Sequence, residues 1–230
     1  MHSTKIKPLA IALVIGLFTI SQTSCLGPAK INKWVAKEYA AVPSPIKKKS
    51  DYISVSSSLV SSDDRISTTE KNTGKVLPLV FYWQYDYKNT CTLNPRIPIN
   101  NFTSTVLSYA GKKLKQKLDG QRVELTVEKI PNAFAIDDKG HIIVIIIYPI
   151  GWDVITIQPV ALDMVVSYKV IKDDNTETKR GVITIPNKDR GAGLEMFQSL
   201  KKKTLQYLDQ YNANITLMSK HVIDELITEL

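Results

Sequence analysis

His141-Ile142-Ile143-Val144-Ile145-Ile146-Ile147-Tyr148 is the stretch on which the fold turns. Its core is an unbroken row of β-branched aliphatic residues, and the row is too short for a typical helix. It therefore reads as one strand. One face carries Ile143, Ile145 and Ile147; the other carries Ile142, Val144 and Ile146. Strands that are apolar on both faces are normally covered on both. Helices packed on one side cover one face only. The second face, Ile142, Val144 and Ile146, is expected to meet the N-terminal segment, a partner protein or a lipid.

Working outward, Asp137-Asp138-Lys139-Gly140 reads as a turn before this strand, and Pro149-Ile150-Gly151 as a turn after it. Trp152–Ile157 then pairs back as a hairpin. Met164–Lys172 and Thr176–Ile185 form a second hairpin around Asp173-Asp174-Asn175. Upstream, Val123, Leu125 and Val127 alternate with Glu124, Thr126 and Glu128, a half-buried strand. Another strand covers 76–87, with Leu79, Phe81, Trp83, Tyr85 and Tyr87 on one face. Such a row could stack on sugars; the plainer reading is a core face under a helix.

Two helices frame the strands. Asn94-Pro95 and Pro98 suggest a loop, and Asn100 or Asn101 a helix cap. Phe102, Val106, Ala110, Leu114 and Leu118 recur every four residues until Asp119-Gly120. The cap reading also accounts for the glycosylation triplet at Asn101; a second such triplet lies at Asn214. A C-terminal helix follows Gly191 and Gly193, with Leu194, Phe197, Leu200, Leu208, Tyr211, Ile215, Met218, Val222, Leu226 and Leu230 along its stripe. Hairpin-linked strands between two one-sided helices imply an α+β fold, with an antiparallel sheet of about five strands and both helices on one face.

The N-terminus reads as an address. Lys5 and Lys7 precede an apolar run through Ile20, and Ser21-Gln22-Thr23-Ser24-Cys25 follows. That order is a secretory signal peptide. Ser24-Cys25 resembles the lipobox of bacterial lipoproteins, with Gln22 where an aliphatic residue is usual. The resemblance implies cleavage before Cys25, acylation of Cys25, and, with Leu26 rather than aspartate next, an outer-membrane lipoprotein whose body is periplasmic. Residues 1–24 are then the signal peptide, 25–75 the anchor and a flexible linker with a short helix at 31–41 and a short strand at 51–55, and 76–230 the globular domain. The Ser/Thr-rich stretch 54–72 is the linker proper. In element order, 76–230 resembles small α/β envelope lipoproteins such as the lipopolysaccharide-assembly lipoprotein and the auxiliary lipoproteins of ABC transporters. The Asp173-Asp174-Asn175 hairpin is the segment that carries this likeness.

Composition fits that address. The chain has 230 residues, 43% apolar and 23% charged, which is globular usage. The formal charge is +8, and loss of Lys5 and Lys7 with the signal peptide lowers it to +6. Export argues against nucleic acid as the reason for that charge. Lys112, Lys113, Lys115 and Lys117, and Lys201, Lys202 and Lys203, read as solvated helix faces or as contacts to an anionic surface. With Cys25 acylated, Cys91 is a lone thiol. Pairing with His141 as a nucleophile is the exotic reading for it, and a small buried cysteine the ordinary one. His141 and His221 do not have metal-ligand spacing, and no cofactor is expected. The acid pairs fall in expected turns. The sequence thus points to a non-enzymatic envelope lipoprotein that binds a protein or an acyl-chain ligand, with a hydrolase of envelope polymers as the alternative.

Overall fold

A computed structural model describes residues 27–44, 50–59, 63–74, 77–78, 81–145, 148–195 and 197–230. The α+β class holds, but the expected single sheet with two helices is replaced by two sheets and, among the described residues, four helices. The helices are α1 (Pro28–Tyr39), α2 (Arg96–Tyr109), α3 (Gly111–Leu118) and α4 (Leu200–Glu229).

The first sheet has the order β1-β5-β8-β9: β1 (Ile53–Ser57), β5 (Arg122–Lys129), β8 (Met164–Ile171) and β9 (Glu177–Ile185). β1 pairs parallel to β5, and the other pairings are antiparallel. The expected alternation of β5 is present, with Val123, Leu125 and Val127 buried.

The second sheet has the order β10-β7-β6-β4-β2: β10 (Ala192–Gly193), β7 (Tyr148–Pro159), β6 (Ala133–Ile145), β4 (Tyr82–Leu93) and β2 (Ser67–Thr73); β3 (Leu77–Pro78) also pairs with β4. All its pairings are antiparallel.

α4 joins the two sheets. Near its start, Tyr207 packs against Phe134 of β6, and Tyr211 donates to the Pro131 carbonyl at 2.7 Å. At its end, Glu229 accepts from Tyr168 of β8 at 2.5 Å. Between them Leu208, Ile215, Met218, Val222, Ile223 and Leu226 are buried. The four-residue stripe Phe102, Val106, Ala110, Leu114 and Leu118 is also buried, although it runs over two helices that break at Gly111, whose φ is +47°.

Several local expectations need correction. Asp137–Gly140 lies inside β6, because its carboxylates and glycine meet cross-strand partners: Asp137 accepts from Gln158, and Gly140 faces Tyr85. Pro149–Gly151 lies inside β7, whose edge position tolerates a proline. Residues 96–100 are helix, since the Asn94 carboxamide accepts from the Arg96 amide at 3.1 Å and Pro98 fits a first turn. Asn101 is therefore no cap. Its side chain bridges α2 and α4, donating to the Asn212 carbonyl and accepting from Thr216. α4 begins at Leu200 under a Ser199 cap, so Leu194 and Phe197 lie outside it. The short strand expected at 51–55 is β1, two residues further along, but the expected linker also forms β2, and α1 buries Ile31, Trp34 and Val35 against β2, β4 and α4.

Candidate functional site

β4, β6 and β7 contain 12, 13 and 12 residues, against 5 to 9 for the strands of the first sheet. At about 3.3 Å per residue each long strand runs ~40 Å. Only one half lies in the core: Cys91, Phe134, Ile136 and Ile157 are buried there. The other half is an arm that continues past the helices.

The register fixes what each face of the arm carries, because residues opposite one another across a ladder share a face. On the core-side face, Tyr85, Gly140 and Asp153 form one row and Trp83, Ile142 and Gly151 the next. Phe81 closes that face beside Val144, whose amide donates to its carbonyl at 2.8 Å. On the opposite face, Gln84, His141 and Trp152 share a row, then Tyr82, Ile143 and Ile150, and last Ile145 with Tyr148. Leu77 sits beside Gln84. Described residues from the His141 row outward include no Lys, Arg, Asp or Glu.

This half is poorly covered. Phe81 is 64% exposed, Trp83 51%, Trp152 44% and Tyr148 70%; Leu77, Ile145, Ile150 and Val154 are exposed as well. Ile142, Ile143 and Val144 are half-buried by their neighbours in the sheet. The aromatic row expected as a core face under a helix is not one: Tyr85 and Tyr87 are half-buried, Phe81 and Trp83 are exposed, and Leu79 falls outside the described residues. Ile146 falls outside the described residues, as does Cys25. α1 does not supply the second-face cover, since its apolar side is used at β2, β4 and α4.

Polar groups in the arm are largely paired with one another. Tyr82 Oη and His141 Nδ1 are hydrogen-bonded at 2.7 Å, and the His141 ring stacks on Trp152 at 5.2 Å. Tyr85 donates to Asp153 at 2.7 Å. Below these rows lies a belt of mixed charge: Asp86, Asp138, Lys139, Asp153 and, from β2, Lys71. Burial, then the charges of Asp153 and Asp86, push the Asp138 carboxyl above its ordinary range, while Lys71 pulls it down. Its Oδ1 is buried without a hydrogen-bond partner.

Cys91 is fully buried, and burial pushes its thiol up. His141 pairs with Gln84, seven residues along β4 from Cys91 and on the other face, so ~24 Å of strand separates them. A Cys–His nucleophile is excluded by that register. Among the described residues no group of three or more His, Cys, Asp or Glu side chains could hold a metal ion. A shallow cavity of about 290 Å³ near Ser58, Pro95, Lys129 and Asn132 brings no catalytic set together.

The lysines do not form one patch. Lys112, Lys113, Lys115 and Lys117 are exposed on α3, which follows Tyr109; Tyr109 donates to Asp224 late in α4. Lys201 and Lys202 are exposed at the start of α4, ~33 Å away along its axis. Lys203 is mostly covered and sits 3.6 Å from Glu195.

An uncovered face on the central strand was expected; the feature that sequence reasoning missed is that three strands run past the core with both faces exposed. Its signal was available: two segments without charge, 76–85 and 141–152, in a chain that is nearly a quarter charged. Comparison of the chain with protein-family models, with curated proteins and with solved structures finds no match in any of the three.

Proposed function

We propose that this chain is a membrane-anchored envelope lipoprotein with a non-enzymatic docking role, and that the arm makes the contact. The observation that carries this is an arm end without charge, bare on both faces. Exposed apolar area of this kind marks an interaction site. The lipobox-like Ser24-Cys25 supports the anchor and the periplasmic side of the outer membrane. The resemblance to envelope-assembly and transport lipoproteins supports an accessory role there.

Dye binding tests the docking surface. The Cys25→Ser chain, expressed without residues 1–24, should enhance the fluorescence of an apolar dye, and Ile150→Asp should remove most of that signal without lowering the melting temperature, because Ile150 is exposed. No enhancement by the parent chain would defeat the reading.

The hydrolase alternative draws on one observation. Asp138, with its raised pKa, lies one row from Asp153 on the face that carries Tyr85 and Tyr87. A raised carboxyl is what a general acid needs. Release of soluble fragments from envelope polymers, lost in Asp138→Asn, would support it.

A further inference from the structure

We propose that the partner of the arm is a lipid surface: the ends of β4, β6 and β7 enter the headgroup boundary of one leaflet, with Trp83 and Trp152 at its level. This names the occupant for the docking reading above and rests on it.

The first argument is two-sidedness. A protein docked on a sheet covers one face and leaves the other wet. Here Trp83 and Phe81 project from one face, and Ile143, Ile145, Ile150 and Trp152 from the other. A fluid surface covers both at once.

The second is vertical order. Trp83 and Trp152 occupy adjacent rows on opposite faces, hence almost the same height. Outward of them the described residues are uncharged, and inward lies the belt of Asp86, Asp138, Lys139 and Asp153. Apolar tip, tryptophan level and charged belt are the sequence of layers a membrane interface selects. The belt is of mixed sign, so attachment is by apolar contact rather than by attraction to anionic lipid.

The third is reach. Only Leu26 and Gly27 lie between Cys25 and Pro28, the first residue of α1, which docks in the core through Ile31, Trp34 and Val35. At most ~3.6 Å per residue allows ~11 Å of tether. α1 docks at the root of the arm, where Asn32 accepts from Ser67 and Thr69, so an acylated Cys25 would keep the body near the leaflet and contact at the tip is left to the arm itself.

The edge of β7 selects between occupants and limits depth. Among the described residues β10 covers β7 only at Thr156 and Ile157. Pro149 on the open part disfavours pairing with a second copy. Unpaired backbone groups on that edge cannot enter hydrocarbon, so insertion stops where water remains.

The Cys25→Ser chain, expressed without residues 1–24, should float with vesicles of neutral phosphatidylcholine, and raising the salt should change binding by less than about twofold, since screening acts on charges. Brominated phosphatidylcholine should quench its fluorescence, and Trp83→Phe with Trp152→Phe should remove the quenching while buried Trp34 still emits. Ile150→Asp and Tyr148→Asp should each weaken flotation by about tenfold, because both side chains lie on the inserted surface. Failure to float with neutral vesicles overturns the proposal. So does binding that requires anionic lipid and is lost in salt, which would implicate the lysines. An arm-dependent dimer with no vesicle binding assigns the surface to a second copy and also overturns it. If the arm binds dye but not vesicles, docking stands and the lipid assignment falls; if it binds neither, both fall.

Discussion

Tyr85 and Tyr168 each lie across a glycine on the neighbouring strand, Gly140 and Gly181. A Cβ on Gly140 would fall inside the Tyr85 ring, and one on Gly181 would come within 2.6 Å of the Tyr168 ring. Each glycine is there to let an aromatic ring cover the backbone, a device that pins register. Gly140→Val should therefore cost about 1–3 kcal/mol by overpacking. Much of that cost should vanish in a Tyr85→Ser background, measured as a coupling in a denaturation double-mutant cycle. Equal costs in both backgrounds would place the strain elsewhere. Neither pair is legible in sequence, because Asp-Asp-Lys-Gly has the composition of a turn whether or not an aromatic residue lies opposite. Asp138 offers a pH test. Its folded pKa is raised by burial first, so the folded state holds the proton more tightly than the unfolded chain. Its ionised form opposes folding at neutral pH, and that opposition is relieved as pH falls through the raised value towards the unfolded ~3.9. Asp138→Asn should raise the melting temperature at pH 7 and lose its advantage in acid. An advantage that persists in acid would mean charge is not the cause.

At the scale of elements, the stripes were readable and the lengths were not. The stripes of α1, α2, α3 and β5 pack where their periodicity directs, since burial of one face is what produces the period. β2 and the end of β1 beyond Val55 were hidden because their stability is polar. Ser67 and Thr69 of β2 both donate to the Asn32 carboxamide on α1, at 3.0 and 2.6 Å, and Ser56 of β1 pairs with Thr126 of β5. Hydroxyls that satisfy one another look, in sequence, like a linker. Asn32→Ala should leave both β2 hydroxyls without their acceptor and cost about 1–3 kcal/mol. Limited proteolysis of that variant should cut first near 63–74, whereas the parent chain should resist cleavage within β2. Early cleavage of the parent inside 67–73 would show that β2 is not held. β6 and β7 failed in the opposite way. The apolar run was visible, but a run that exceeds the core and a run that fills it have the same sequence.

At the scale of the molecule, α4 spans both sheets, so the arm's root and the first sheet share one core. A push on the arm is therefore carried by the body rather than by a hinge between separate units. The tether then decides how the molecule meets a surface. With α1 docked, only Leu26 and Gly27 lie between Cys25 and the fold, and the start of α1 stays within ~11 Å of Cys25. The arm then acts at a high effective concentration, and its own affinity need not be large. A spacer of twenty Gly and Ser residues placed after Cys25 relaxes this, because a flexible chain of that length has an end-to-end distance of ~25 Å. In cells, Tyr148→Cys at the arm's tip should be shielded from a polar maleimide in the short-tethered protein and become labelled in the spacer variant, while the melting temperature stays the same. Cys91 will not confound the signal, since it is fully buried and its thiol is pushed up by that burial. Equal shielding with and without the spacer would mean that the arm holds its partner without help from the anchor. Equal labelling in both would mean that the tip faces away from the leaflet even when the body is held against it.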